Sequence, residues 1–67
     1  MNNLEYMRRK AGLTQKELAD KTGISESAIC RAEKGVTDLP GTRWKALAKA
    51  LGCSLDELLG LKQGKNE

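Results

Sequence analysis

Residues 15–34 have the sequence QKELADKTGISESAICRAEK, and this stretch decides the fold. It predicts two short helices separated by a turn at Gly23, because glycine easily adopts the left-handed backbone that ends a helix. Thr14 and Glu17 form a T-x-x-E capping box, which marks the start of the first of these helices. Ser25 is placed to cap the second. We therefore expect two helices that cross at a short turn.

The flanking sequence predicts three more helices, each bounded by start and stop signals. Apolar residues recur on one face in the first and the fourth, leucines lie close together in the fifth, and there are no β-branched clusters to suggest strands. The first helix covers about residues 3–11, with Leu4, Met7 and Ala11 on one stripe. The fourth begins near Thr42, after a loop over residues 36–42, and ends before Gly52. The fifth opens with a second capping box, which Ser54 forms with Glu57.

Length and composition indicate one small all-α domain. The chain has 67 residues, a formal net charge of +3 and 3% aromatic residues. A chain of this size buries only about 60% of the surface that its unfolded form exposes. We expect residues 1–61 to form the domain and residues 62–67 to form a polar tail. The modest basic charge is compatible with a polyanionic partner and equally with an ordinary soluble surface.

The inventory of reactive side chains argues against an enzyme or a metal protein. There are two cysteines without CxxC spacing, Cys30 and Cys53, and no histidine. A zinc site is therefore not expected, nor is a cofactor, and no base stands at a spacing that would activate a nucleophile. Cys53 is expected in the core. No signal peptide and no 18-residue apolar run occur, so we expect a cytoplasmic protein without membrane contact.

The segment LTQKELADKTGISESAICRAEKG resembles the helix-turn-helix of the phage repressor and Cro-type (Xre-like) family of DNA-binding regulators. The sequences before and after it resemble the first and the last two helices of that five-helix, lambda-repressor-like fold, so the resemblance covers nearly the whole chain. It implies a prokaryotic or phage-derived protein whose third helix enters the major groove of double-stranded DNA.

The resemblance also implies which residues of the third helix contact bases. Arg31 could donate twice to guanine O6 and N7, or it is a solvated helix charge. Glu26 stands where relatives often have an amide; it either accepts from cytosine N4 or favours the positive end of the helix. Cys30 lies near a base or thymine methyl, or is a redox-sensing thiol. The expected base contacts are Ser25, Glu26, Ser27, Cys30 and Arg31.

Two further sets of residues follow from the same resemblance. Gln15, at the start of the second helix, matches the family's phosphate-binding glutamine, and Lys34 and Arg43 are the next candidates for phosphate contact. Arg8 and Glu33 match positions that form a buried or half-buried ion pair in relatives. Such a pair has a structural role, and removal of one partner should cost more than removal of both.

The function implied is a sequence-specific transcriptional regulator, a repressor that binds a palindromic operator as a homodimer. The family pairs through its fourth and fifth helices, so Leu55, Leu58 and Leu61 are candidates for the dimer contact, unless all of them belong to the core. The alternative is an antitoxin or protein-interaction module in which DNA binding is secondary. No small-molecule ligand is expected.

Overall fold

The computed structural model describes residues 2–60, and over that range it contains five α-helices and no strand. Helix α2 packs against α3 and α4, helix α1 against α3 and α5, and α4 against α5. The predicted all-α, five-helix architecture is confirmed. The helices are α1 (Leu4–Lys10), α2 (Gln15–Thr22), α3 (Glu26–Lys34), α4 (Gly41–Leu51) and α5 (Leu55–Leu59).

Both predicted capping boxes are present. The Glu17 backbone N–H donates to Thr14 Oγ1 at 3.0 Å, and the Thr14 N–H donates to Glu17 Oε1 at 2.8 Å. Ser54 and Glu57 repeat this exchange at the start of α5. The bonds from the Ser54 backbone and then its side chain lower the pKa of the Glu57 carboxyl. Each cap stabilises its helix by about 1 kcal/mol.

Helix α1 is one residue shorter at each end than predicted, and at its start Asn3 is held by α5. Its backbone N–H donates to the Leu58 carbonyl, and its side-chain Nδ2 donates to the Glu57 carbonyl, both at 2.9 Å. Ala11, expected on the apolar stripe of α1, is exposed at the end of the helix. Arg8 is buried, in agreement with the buried or half-buried ion pair expected of it.

Helix α4 begins at Gly41, slightly earlier than predicted, because the Pro40 carbonyl accepts from the backbone N–H groups of Arg43 and Trp44. The loop before it is fixed by Asp38. Its Oδ1 accepts from the indole Nε1 of Trp44 at 3.1 Å and from the Leu39 N–H at 3.0 Å. An acidic residue therefore holds this loop against α4.

The core lies where all five helices meet. Leu58 has no exposed surface and belongs to this core, which removes it from the residues available for a dimer contact; Leu61 lies outside the described residues. Cys53 is partly buried and packs against the same cluster, and burial, then the nearby Glu57 carboxylate, raise the pKa of its thiol. The buried apolar residues are Leu4, Leu18, Ile24, Ile29, Ala32, Trp44, Leu47, Ala48 and Leu58.

Candidate nucleic-acid interface

Helices α2 and α3 are joined by a turn in which Gly23 has φ +78°. That left-handed conformation costs an L-residue about 1–2 kcal/mol, so glycine allows the chain to reverse tightly between the two helices. Ile24 then enters the core, 3% exposed, and Ser25 caps α3 by accepting from the Ala28 N–H at 3.1 Å. The buried side chains of Ile29 and Ala32 fix which face of α3 points inward. The opposite face is therefore presented to solvent.

The outward face of α3 carries the residues expected to contact bases. Glu26, Ser27 and Arg31 are exposed, and Cys30 is partly buried. Within residues 2–60, no hydrogen bond or ion pair engages the side chains of these four residues. Their polar atoms can therefore bind an external ligand without first breaking a contact inside the protein. Together with Gln15 of α2, they line one open depression on the surface.

Gln15 is joined to this face through a buried ion pair. Arg8 Nε donates to Glu33 Oε2 at 2.6 Å, and the side chains are 11% and 4% exposed respectively. Glu33 Oε1 accepts from Arg8 Nη2 at 3.3 Å and from Gln15 Nε2 at 2.9 Å. The hydrogen bond to Glu33 raises the pKa of the Arg8 guanidinium, against the opposing effect of burial.

The same guanidinium also fixes the turn before α2. Arg8 Nη1 donates to the Leu13 carbonyl at 2.8 Å, one residue before the cap at Thr14. The carboxylate of Glu33, near the end of α3, thus contacts α1 through Arg8 and the start of α2 through Gln15. These contacts hold the start of α2 beside α3, as the structural role expected of Arg8 and Glu33 requires.

The phosphate candidates occupy different places. Gln15 is the first residue of α2, where backbone N–H groups lack helical partners. Lys34 is exposed and borders a second, larger groove that also contains Gln15. Arg43 is exposed on the first turn of α4 and borders neither groove. The structure thus brings Gln15 and Lys34 together and leaves Arg43 apart.

A family model described as helix-turn-helix matches residues 4–58. The chain belongs to this helix-turn-helix family. The match covers all of α1 to α4 and most of α5, and it agrees with the Xre-like resemblance of the sequence. Among curated proteins, the comparison found no match. Membership makes the chain a DNA-binding regulator, with α2 and α3 as the helix-turn-helix pair.

Two cationic residues of this helix-turn-helix protein were missed in the sequence. Arg9 and Lys16 border the same groove as Gln15 and Lys34. Arg9 pairs with Glu5 at 2.7 Å, but both side chains are largely exposed, and an exposed pair one turn apart contributes only about 0.3–0.5 kcal/mol. Arg9 is therefore held only weakly by Glu5. The sequence could have indicated both, because Arg9 directly follows Arg8 and Lys16 directly follows Gln15, which are predicted site residues.

Two of the three leucines predicted at the dimer contact lie within the described residues. Of the predicted dimer residues within the described range, Leu55 is partly buried and Leu58 is fully buried. Leu55 packs against the core from the start of α5 and keeps part of its surface exposed.

No helix within residues 2–60 is both long and apolar enough to cross a membrane.

Proposed function

We propose that this protein is a sequence-specific repressor that binds a palindromic operator as a homodimer, with α3 of each protomer in the major groove. One observation carries the proposal: the outward face of α3 presents Glu26, Ser27 and Arg31 free of internal partners, beside Gln15 at the start of α2. A donor–acceptor surface of this kind matches the varied pattern of base edges in the major groove.

Arg31 has the strongest chemistry for base recognition. Its guanidinium can donate two parallel hydrogen bonds to guanine O6 and N7, which discriminates by about 1–3 kcal/mol against a wrong base. Glu26 lines the same depression and can accept from cytosine N4. Ser25 uses one lone pair of its hydroxyl oxygen to cap α3, which leaves its second lone pair and its hydroxyl proton for a base or a phosphate.

Gln15, Lys34 and Arg43 are proposed to contact phosphates and to fix the position of α3. Gln15 combines its carboxamide with the free N–H groups at the start of α2, a combination that favours an anion. A single α3 spans few base pairs, so two copies about 34–36 Å apart, one turn of DNA, are needed for a specific site. Leu55 is the described residue proposed at the dimer contact. A dimer on such a site represses by covering it.

Selection of bound sequences from a random DNA pool tests this function. The native protein is expected to select a two-fold-symmetric sequence. Arg31→Ala should remove the preference at one base pair in each half-site, with a loss of about 1–3 kcal/mol there. Lys49→Ala, which removes the same charge from an exposed position on α4, is the matched control and should select the native sequence. An unchanged motif with Arg31→Ala would contradict base contact by Arg31.

A further inference from the structure

The bond between Gln15 and Glu33 joins a proposed phosphate contact to a buried carboxylate. Gln15 Nε2 donates to Glu33 Oε1 at 2.9 Å, and the two residues are 18 positions apart in the chain. Gln15 is half-buried, whereas the Glu33 side chain is only 4% exposed. The carboxamide of Gln15 is therefore held at a defined place in the free protein.

We infer that Glu33 is a positioning residue for DNA binding, which orients the Gln15 carboxamide so that its second N–H donates to a backbone phosphate. This inference rests on the proposed function. The amide group is planar and has two N–H bonds about 120° apart. One of them is bound to the buried carboxylate, and the other has no partner within residues 2–60. Gln15 also lines the open groove, so this second N–H can reach an external acceptor there.

Arg8 makes this orientation firm. It donates to both oxygens of Glu33, at 2.6 Å and 3.3 Å, so the carboxylate cannot rotate without breaking a charge-assisted bond. Arg8 is itself held by the Leu13 carbonyl, next to α2. The acceptor for Gln15 is thus fixed by groups from α1 and from the turn before α2.

The expected gain is entropic. Immobilising a flexible side chain on binding costs about 0.5–1.5 kcal/mol, which corresponds to a factor of about 2 to 12 in affinity. In this protein the bond to Glu33 restricts Gln15 before DNA arrives. Gln15 should therefore contribute about 2- to 12-fold more to the affinity of each protomer when the carboxylate is present than when it is absent.

A double-mutant cycle in DNA affinity tests the inference. Arg8→Met and Glu33→Met are made together, because replacement of a buried ion pair by apolar residues usually preserves stability, whereas a single substitution leaves a buried charge. Gln15→Ala is then measured in the native background and in this double-substituted background. We expect a larger loss of affinity in the native background, by about 2- to 12-fold per protomer.

Lys34→Ala is the matched control in both backgrounds. Lys34 borders the same groove but has no bond to Glu33, so its loss should be equal in the two. Equal losses for Gln15→Ala as well would overturn the positioning role while leaving the proposed function intact. Absence of specific DNA binding by the native protein would instead refute the proposed function.

A second measurement uses only the native protein and so does not depend on whether the substituted forms fold. Nuclear magnetic resonance relaxation of the Gln15 side-chain Nε2 reports its motion before DNA is added. A restricted carboxamide with one slowly exchanging proton is expected from the bond to Glu33. Free rotation comparable to a surface side chain would overturn the inference.

Discussion

Glu33→Ala is expected to destabilise the protein strongly, because it removes the acceptor for three donor contacts. These are Arg8 Nε at 2.6 Å, Arg8 Nη2 at 3.3 Å and Gln15 Nε2 at 2.9 Å. The substitution leaves the Arg8 guanidinium, with a side chain only 11% exposed, without a counter-charge. Breaking a buried pair in this way costs about 3–5 kcal/mol.

The lower end of that range applies here. Arg8 keeps its bond to the Leu13 carbonyl, and its side chain retains a little contact with water. We therefore expect a loss of about 3 kcal/mol in the free energy of unfolding. A domain of this size has a total stability of about 3–10 kcal/mol, so the melting temperature should fall by about 12–24 °C.

Urea unfolding followed by far-ultraviolet circular dichroism measures this loss for Glu33→Ala, Arg8→Ala and the Arg8→Met/Glu33→Met pair. The apolar pair should remain within about 1 kcal/mol of the native protein, since no charge is left buried. Two results would refute the reasoning. One is a loss below about 1 kcal/mol for each single alanine substitution. The other is an Arg8→Met/Glu33→Met protein whose free energy of unfolding falls by as much as the losses of the two single alanine substitutions added together.

Three more outcomes are expected for stability. Gly23→Ala should lower the free energy of unfolding by about 1–2 kcal/mol, because position 23 has φ +78°. Gly41→Ala is the control: a Cβ at position 41 also has open space around it and the backbone there has no positive φ, so thermal melts should show no loss. Leu58→Ala should lower the free energy of unfolding in urea by about 2–5 kcal/mol, and Leu55→Ala should lower it less because the Leu55 side chain is only partly buried. Equal losses would contradict this difference in burial. The bonded Glu57 carboxylate has a lowered pKa, so its stabilisation is present above the unfolded pKa and is lost as pH falls through the folded one. Between about pH 5 and 3, Glu57→Gln should therefore lose less stability than the native protein, and identical pH profiles would argue against the bond.

Local signals in the sequence were sufficient to predict the helices. The two capping boxes join residues only three positions apart, Thr14 with Glu17 and Ser54 with Glu57. The residues that form the hydrogen bonds are therefore the same ones that form the sequence pattern. Gly23 likewise ends α2 through its own backbone conformation. Predictions of this kind hold because few distant contacts can change them.

Contacts between distant parts of the chain were harder to predict. In the five-residue helix α5 leucines lie on more than one side, and only the packing of the whole domain selects Leu58 for the core. Asn3 reaches Glu57 across 54 residues, and no local pattern indicates that bond. The Gln15–Glu33 bond is of the same kind. The resemblance assigned a role to each residue separately, without the contact that couples them.

Operator affinity across a series of salt concentrations tests the proposed DNA interface most directly. Lys34 and Arg43 are both exposed cations, and two contacts in each protomer give four in a dimer. These four contacts alone contribute about −3.6 to the slope of the logarithm of the association constant against the logarithm of salt concentration. Arg43→Ala should reduce the slope by about 1.8 without a change in the selected sequence. An affinity that does not depend on salt would contradict phosphate binding and favour a protein-interaction role.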